Sequence, residues 1–94
     1  HVDAAEALAI GLVNRVVPAD EVYSSALELA RRLAKGPALA LRAAKEAIDR
    51  GLDTDLDTGL DIERVRFASL FATDDQSIGM AAFVEKRPAE FTGN

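Results

Sequence analysis

Five carboxylates follow one another closely between residues 53 and 63, and paired carboxylates can act as general acid and base or hold a metal ion. They are Asp53, Asp55, Asp57, Asp61 and Glu63. A helical pattern of apolar residues starts in the same stretch, and acidic residues favour the first turn of a helix. Charged runs are usually solvent-exposed faces. We therefore interpret the cluster as the acidic start of a helix and assign it no catalytic residue.

Metal chemistry has few candidate ligands in this sequence. There is no cysteine, and the only histidine is His1. Without thiolates or paired imidazoles, only a site built from carboxylates is conceivable. We predict no metal site and give His1 no role.

The composition limits the partners of the chain. Sixteen acidic and eleven basic residues give a net charge of −5, which argues against binding to a phosphate backbone. No apolar run approaches the roughly 20 residues that span a bilayer. We expect neither a nucleic-acid nor a membrane role, and a cytoplasmic location is the default expectation.

The apolar residues favour helices. They make up 49% of the chain, with no Trp, one Tyr and four Phe, and Ala and Leu are the most common. Such a composition is typical of thin, closely packed helices. We predict a mainly α fold of four to five helices with one short extended segment near the N-terminus.

The extended segment follows a short helix. Asp3 and Glu6 have the spacing of an N-cap and its partner, and Gly11 is a suitable helix end. Residues 12–18 are rich in Val and close with Pro18, which predicts an edge strand or an extended segment that would need a partner strand.

Three long helices and a shorter one are predicted after Pro18. The first covers residues 20–35, and Gly36-Pro37 ends it and starts the next, which runs to Gly51. A third begins after Asp53 or Thr54 as N-cap. Gly59 lies inside it and predicts a close crossing with a neighbouring helix.

The last helix is predicted from a capping box. Thr73 and Gln76 have the required spacing, and the apolar residues that follow extend the pattern to Phe83. Residues 85–94 form a polar tail.

Several of these patterns resemble the C-terminal third of the enoyl-CoA hydratase/isomerase (crotonase) family, and they occur in the family's order. They are DAAEA at 3–7, GLVNRVVP at 11–18, GP at 36–37 with AAK at 43–45, FATDD at 71–75, and GMAAFVEKRP at 79–88 followed by Phe91. Each piece is short, but together they cover nearly the whole chain. The resemblance implies residues 1–18 as the end of a spiral core that is otherwise absent here, and residues 19–94 as the C-terminal helical, trimerisation domain.

The resemblance also implies where the chemistry lies. In the family, two backbone N–H groups form the oxyanion hole and carboxylates act as acid and base, and both belong to the core upstream of this chain. Pre-placed donors and carboxylates of suitable pKa are what hydration of a thioester-conjugated double bond requires. We therefore expect no catalytic residue and no activity in these 94 residues alone. The acyl-CoA would be a substrate, so no cofactor is predicted.

Two residues match family positions that contact CoA. Phe67 matches the aromatic residue that lies against the adenine, and Lys86 matches the lysine that reaches the phosphates. Stacking and a point positive charge suit an adenosine phosphate. The alternatives are an ordinary core aromatic for Phe67 and a solvated lysine for Lys86. Arg87 is a weaker phosphate candidate.

The resulting prediction is the C-terminal part of an enoyl-CoA hydratase of fatty-acid metabolism, contributing oligomerisation and the adenine and phosphate end of the CoA site. One alternative is a helical oligomerisation module that binds no ligand, and another is part of a family isomerase. We expect a homo-oligomer, because the helix faces lack the core that they should cover. The sequence does not choose the reaction, the acyl-chain length or the compartment.

Overall fold

The computed structural model describes residues 1–94, and all of its regular structure is helical. The five α-helices are α1 (Ala4–Ala9), α2 (Val22–Ala34), α3 (Ala38–Leu52), α4 (Leu56–Ser69) and α5 (Asp74–Glu85). Short 3-10 turns precede α2 and follow α4, at Ala19–Glu21 and Leu70–Ala72. The mainly α prediction is confirmed.

The chain forms two compact units, His1–Leu33 and Ala34–Asn94. The division predicted from the family resemblance, after residue 18, refers to the architecture of a longer protein and stays a prediction. None of the helices combines the length and the apolar character that crossing a membrane requires.

In the first unit, α1 begins and ends as its sequence predicts. The Asp3 carboxylate accepts a hydrogen bond from the Glu6 N–H at 2.8 Å. Gly11 has φ +75°, the left-handed conformation that suits a residue after a helix, and the Leu12 N–H returns to the Ala7 carbonyl at 2.8 Å. Ala7 is the buried residue of this helix.

Residues 12–18 form no strand. Their valines remain accessible, with Val13 38% and Val16 43% exposed. Together with α2 side chains such as Leu29, they line an open apolar concavity of about 720 Å³. The Val-rich run thus presents apolar surface without a paired strand.

In the second unit, α3 and α4 pack together through glycine. A Cβ atom built on Gly59 would lie 3.5 Å from the Gly51 Cα and 3.6 Å from its carbonyl oxygen. The two backbones approach closely because neither residue carries a side chain. The predicted crossing at Gly59 is confirmed. Arg66 of α4 also forms an ion pair with Glu46 of α3.

The N-cap of α4 differs from the prediction. It is Asp55, whose carboxylate accepts from the Thr58 N–H at 2.9 Å and from the Thr58 hydroxyl at 2.7 Å. Neither Asp53 nor Thr54 caps this helix, because α3 continues to Leu52 and Asp53 is its C-cap. The turn between the helices therefore lies one to two residues later than the sequence pattern indicated.

The start of α5 follows the prediction in part. The Thr73 hydroxyl accepts from the Gln76 N–H at 3.2 Å. The reciprocal bond of a full capping box is not made, since the Thr73 N–H donates to the Leu70 carbonyl at 3.0 Å. The Leu70 carbonyl, in the preceding 3-10 turn, thus accepts the hydrogen bond that the Gln76 side chain would accept in a full capping box.

Little of the apolar surface is covered. Only Ala7, Ala82 and Asp75 are buried. The accessible surface of 7736 Å² compares with about 5,200 Å² for a typical folded monomer of 10.0 kDa. The excess of about 2,500 Å² is on the scale that obligate interfaces bury.

We expect the isolated 94-residue chain to self-associate, because exposed apolar area of this extent seeks a partner. Analytical ultracentrifugation over a range of concentrations should show a mass that rises with concentration. A cooperatively folding monomer at all concentrations would contradict this expectation.

The crossing of α3 and α4 gives a second prediction. Gly59→Ala places a methyl group at ordinary contact distance from Gly51 and removes a helix-interior glycine, so we expect stability to be unchanged or raised by up to about 1 kcal/mol. Gly59→Leu should destabilise, since its further atoms would meet α3. Thermal unfolding of the two variants beside wild type measures both effects, and a large loss with alanine would show that the crossing is tighter than described.

Candidate functional site

Lys86 has an unusual backbone conformation. It follows α5 with φ 54° and ψ 41°, and it is the only residue other than glycine with positive φ. Its N–H donates to the Phe83 carbonyl at 3.3 Å, and the Arg87 N–H donates to the Ala82 carbonyl at 3.0 Å. These two bonds make a Schellman motif, in which glycine normally occupies the position of Lys86.

This conformation carries a cost. For a residue with a Cβ atom the left-handed region costs about 1–2 kcal/mol. Such residues persist where the surrounding structure fixes them, and they cluster at ligand sites. The backbone conformation of Lys86 is thus a physical reason, independent of the family resemblance, to treat this residue as a candidate ligand contact.

The ammonium group of Lys86 is free to bind an anion. The residue is exposed and makes no ion pair, whereas its neighbour Arg87 is paired with Glu85. Arg87 also donates to the Pro88 carbonyl at 3.5 Å. Of the two cations, Lys86 is the one without a partner.

Phe67 lies on α4 at an open apolar groove of about 270 Å³. Its side chain is 63% exposed and meets Phe71 edge to face, with ring centroids 5.4 Å apart. Met80 of α5 and Phe91 of the tail line the same groove. Phe67 is therefore accessible within these 94 residues, and its role stays a prediction.

The structure does not bring Lys86 into the groove of Phe67. Lys86 is absent from the groove lining, and it lies seven residues after the groove residue Gly79, about 10 Å along α5. The aromatic residue beside Lys86 is Phe83, one helical turn earlier and 81% exposed. The sequence pattern had placed Phe83 only on the apolar stripe of the helix.

The acidic cluster at residues 53–63 serves the helix ends. Asp55 caps α4, and Asp61 forms an ion pair with Arg64 at 2.7 Å. No group of three or more histidine or acidic side chains is placed to hold a metal ion. The carboxylates are thus spread along the surface, each with a local role or none.

Asp75 is a residue that the sequence did not single out. Its side chain is 3% exposed, and both carboxylate oxygens accept hydrogen bonds from the tail at Thr92 and Gly93. A second aspartate after a capping threonine is ordinary in a helix's first turn, so no signal in the sequence distinguished it from Asp74.

The comparisons with known proteins agree along the whole chain. The family model described as enoyl-CoA hydratase/isomerase matches residues 1–94. The chain belongs to the enoyl-CoA hydratase/isomerase family. It is similar to a probable enoyl-CoA hydratase of Mycobacterium bovis, with 52% identity over 96% of this chain and 35% of the relative. A short-chain-enoyl-CoA hydratase of Clostridium acetobutylicum is 42% identical over 96% of this chain and 34% of its own length.

The structural comparison gives the same family. A crystal structure of an enoyl-CoA hydratase subunit from Geobacillus kaustophilus superimposes with a TM-score of 0.94 and 47% identity, covering 98% of this chain and 36% of that chain. The predicted family resemblance is confirmed. The chain spans about a third of the length of the family members that it matches.

The cap of α4 generates a prediction of pH dependence. The hydrogen bond from the Thr58 N–H, followed by that from its hydroxyl, lowers the pKa of Asp55 below its usual value of 3.8. A lowered pKa in the folded state adds stability above pH 3.8, and this contribution is lost as the pH falls through the lowered value. Asp55→Asn should therefore be less stable than wild type at pH 7, with a difference that shrinks below pH 3.8.

Urea unfolding between pH 7 and pH 3 measures this difference. Asp57→Asn is the matched control, because Asp57 lies in the same first turn and its side chain makes no hydrogen bond. An Asp55→Asn difference that stays constant over the whole pH range would contradict the assigned role of the charged cap.

Proposed function

We propose that this chain acts as the C-terminal helical part of a longer enoyl-CoA hydratase, which adds water to a trans-2-enoyl-CoA to give a 3-hydroxyacyl-CoA. The observation that carries the proposal is the 52% identity, over nearly the whole chain, to a probable enoyl-CoA hydratase. In this proposal the chain itself holds no catalytic residue and contributes to binding and assembly.

The first contribution is to the nucleotide end of the acyl-CoA. Lys86 offers an unpaired ammonium group, which suits a phosphate because it acts as a compact point charge. An adenine ring needs an exposed aromatic face, and stacking on such a face is worth about 1–3 kcal/mol per base. The chain presents two such faces near α5, at Phe67 and Phe83.

The two aromatic residues have different merits. Phe67 is the residue indicated by the family resemblance, and it borders a groove that could receive a flat ring. Phe83 lies one turn before Lys86, and the Lys86 N–H bonds to its carbonyl. We keep Phe67 as the predicted adenine contact and add Phe83, because its position next to Lys86 is the specific observation in its favour.

The second contribution is oligomerisation. The excess of exposed apolar surface and the open faces of α2 and residues 12–18 are consistent with covering by the rest of a longer chain and by other subunits. A module that only oligomerises would have the same surface, but it would not need an accessible cation and aromatic side chain together.

Hydration of crotonyl-CoA by the full-length protein tests the reaction. Loss of absorbance from the conjugated thioester should be seen with the full-length protein and not with the 94-residue chain. Turnover by the 94 residues alone would refute the absence of catalytic groups. A full-length protein that instead shifts the double bond of a 3-enoyl-CoA would support the isomerase alternative.

Substitutions test the nucleotide contacts. In the full-length protein, Lys86→Ala should raise KM for crotonyl-CoA about two- to fivefold, the order of an exposed ion pair. Loss of the stacked ring, by Phe67→Ala or Phe83→Ala, should raise KM roughly 5- to 100-fold. The variant with the larger effect identifies the adenine contact, and kcat should change little.

Crotonyl-pantetheine is the control substrate, because it lacks the adenosine and its phosphates. Wild type and all three variants should use it equally well. Lys35→Ala is the control variant, since Lys35 is also an exposed lysine near a helix end. If the variants behave as wild type with both substrates, the ligand-free oligomerisation module becomes the better description of this part.

A further inference from the structure

Asp75 is the only charged side chain buried in this chain. One of its carboxylate oxygens, Oδ1, accepts from the Thr92 N–H at 2.7 Å and from the Thr92 hydroxyl at 3.2 Å, while Oδ2 accepts from the Gly93 N–H at 2.9 Å. A buried carboxylate is stable only when its oxygens are satisfied in this way. Every hydrogen-bond donor to the Asp75 carboxylate comes from the end of the tail.

Asp75 also donates a hydrogen bond to the tail. The Asp75 N–H, one of the free donors in the first turn of α5, donates to the Asn94 carbonyl at 3.0 Å. Residues 86–94 form no helix or strand, so these four bonds are the polar attachment of the end of the tail. We call residues 87–94 together with this attachment the strap.

The strap runs back along α5. From Asp75 to Lys86 the helix rises about 16 Å, and the six residue steps from Lys86 to Thr92 span at most about 20 Å. The chain therefore reverses at Lys86 and returns along α5 to reach the Asp75 side chain. The Phe91 ring packs against α5 along this path, since a Cβ atom built on Gly79 would lie 3.4 Å from the Phe91 ring.

We propose that Asp75 is a positioning residue for Lys86: by holding the end of the strap, it keeps the reversal at Lys86 in the left-handed conformation and so fixes the direction of the ammonium group. The inference rests on the proposed function, in which Lys86 contacts the phosphates of CoA. A residue with a Cβ atom leaves the left-handed region unless its surroundings hold it there. The two Schellman bonds and the strap supply that restraint from both sides.

The test uses the full-length protein and Asp75→Asn. The amide has nearly the shape of the carboxylate, but its NH₂ group would face one of the two tail N–H donors, so the strap loses a bond. Asp74→Asn is the matched control, because it removes the same charge from the same helix turn at an exposed position. Hydrogen exchange at the Thr92, Gly93 and Arg87 amides and the affinities for CoA and pantetheine, measured by calorimetry, are the readouts.

We expect faster exchange at all three amides in Asp75→Asn. This includes the Arg87 amide, which donates to the Ala82 carbonyl and makes no bond to Asp75. Affinity for CoA should fall about two- to threefold, less than on complete removal of the exposed Lys86 ion pair, and affinity for pantetheine should not change. In a Lys86→Gly background, Asp75→Asn should have no further effect on CoA binding. Asp74→Asn should behave as wild type throughout.

Other outcomes overturn the proposal. Faster exchange at Thr92 and Gly93 with unchanged exchange at Arg87 and unchanged CoA affinity would show that the strap does not act on Lys86. Equal losses for CoA and pantetheine, or a full additional loss in the Lys86→Gly background, would show general destabilisation. If Asp75→Asn does not fold, deletion of residues 92–94 removes the attachment and leaves Asp75 in contact with water. Exchange at the Arg87 amide and the affinities for CoA and pantetheine should then change as expected for Asp75→Asn.

The same data separate this inference from the proposed function. A wild-type protein without measurable affinity for CoA would overturn both. CoA affinity that falls in Lys86→Ala but not in Asp75→Asn would overturn the role of Asp75 alone.

Discussion

Burial of apolar surface is the constraint on which the remaining features of this chain depend. Isolated helices of this length are marginal in water, and packing of an apolar face normally stabilises them. Here that packing is incomplete, since large side chains such as Leu52 at 81% and Tyr23 at 79% remain exposed. The surface left uncovered is as large as an obligate interface. The helix faces of these 94 residues are therefore largely open to solvent, which is consistent with the proposal that further surfaces cover them.

Within these limits, short-range polar bonds define where each element begins and ends. Asp3, Asp55 and Thr73 each accept a hydrogen bond from the N–H group three residues later. Such caps are typically worth about 1 kcal/mol each, and they act without a large core. The close approach at Gly51 and Gly59 and the ion pair of Glu46 with Arg66 join α3 to α4. These contacts set the bounds of the helices and join α3 to α4, but they do not replace the burial of an apolar face that stabilises helices of this length.

The sequence predicted most of this local order, because the relevant signals are local too. Periodicity and capping residues located the helices, and an interior glycine located the helix crossing. The N-cap of α4 was placed up to two residues early, since Asp53, Thr54 and Asp55 are all acceptable caps and only the end of α3 decides among them. Periodicity contains no information on that choice.

The features that were not predicted are those made by residues distant in the sequence. Asp75 and Thr92 are far apart in the chain, and each is unremarkable alone, so their pairing follows only from the path of the tail. The separation of Phe67 from Lys86 also depends on where α5 lies, whereas the closeness of Phe83 to Lys86 is local to the end of that helix. A family motif can name candidate residues, but the distances between them come from the packing of helices.

At Lys86, the residue that the chain carries differs from the residue that the local backbone conformation favours. The Schellman motif favours glycine at that position, and a glycine would relieve the left-handed strain. At the three helix starts named above, by contrast, the residue type agrees with its local structure. Sequences tend to break local rules at functional sites, where the conformation serves something other than stability. A lysine in a glycine position, unpaired and held by a strap anchored on a buried carboxylate, fits that description. Under the proposed function, the left-handed conformation is retained at Lys86 because CoA binding uses a cation there, which glycine cannot supply.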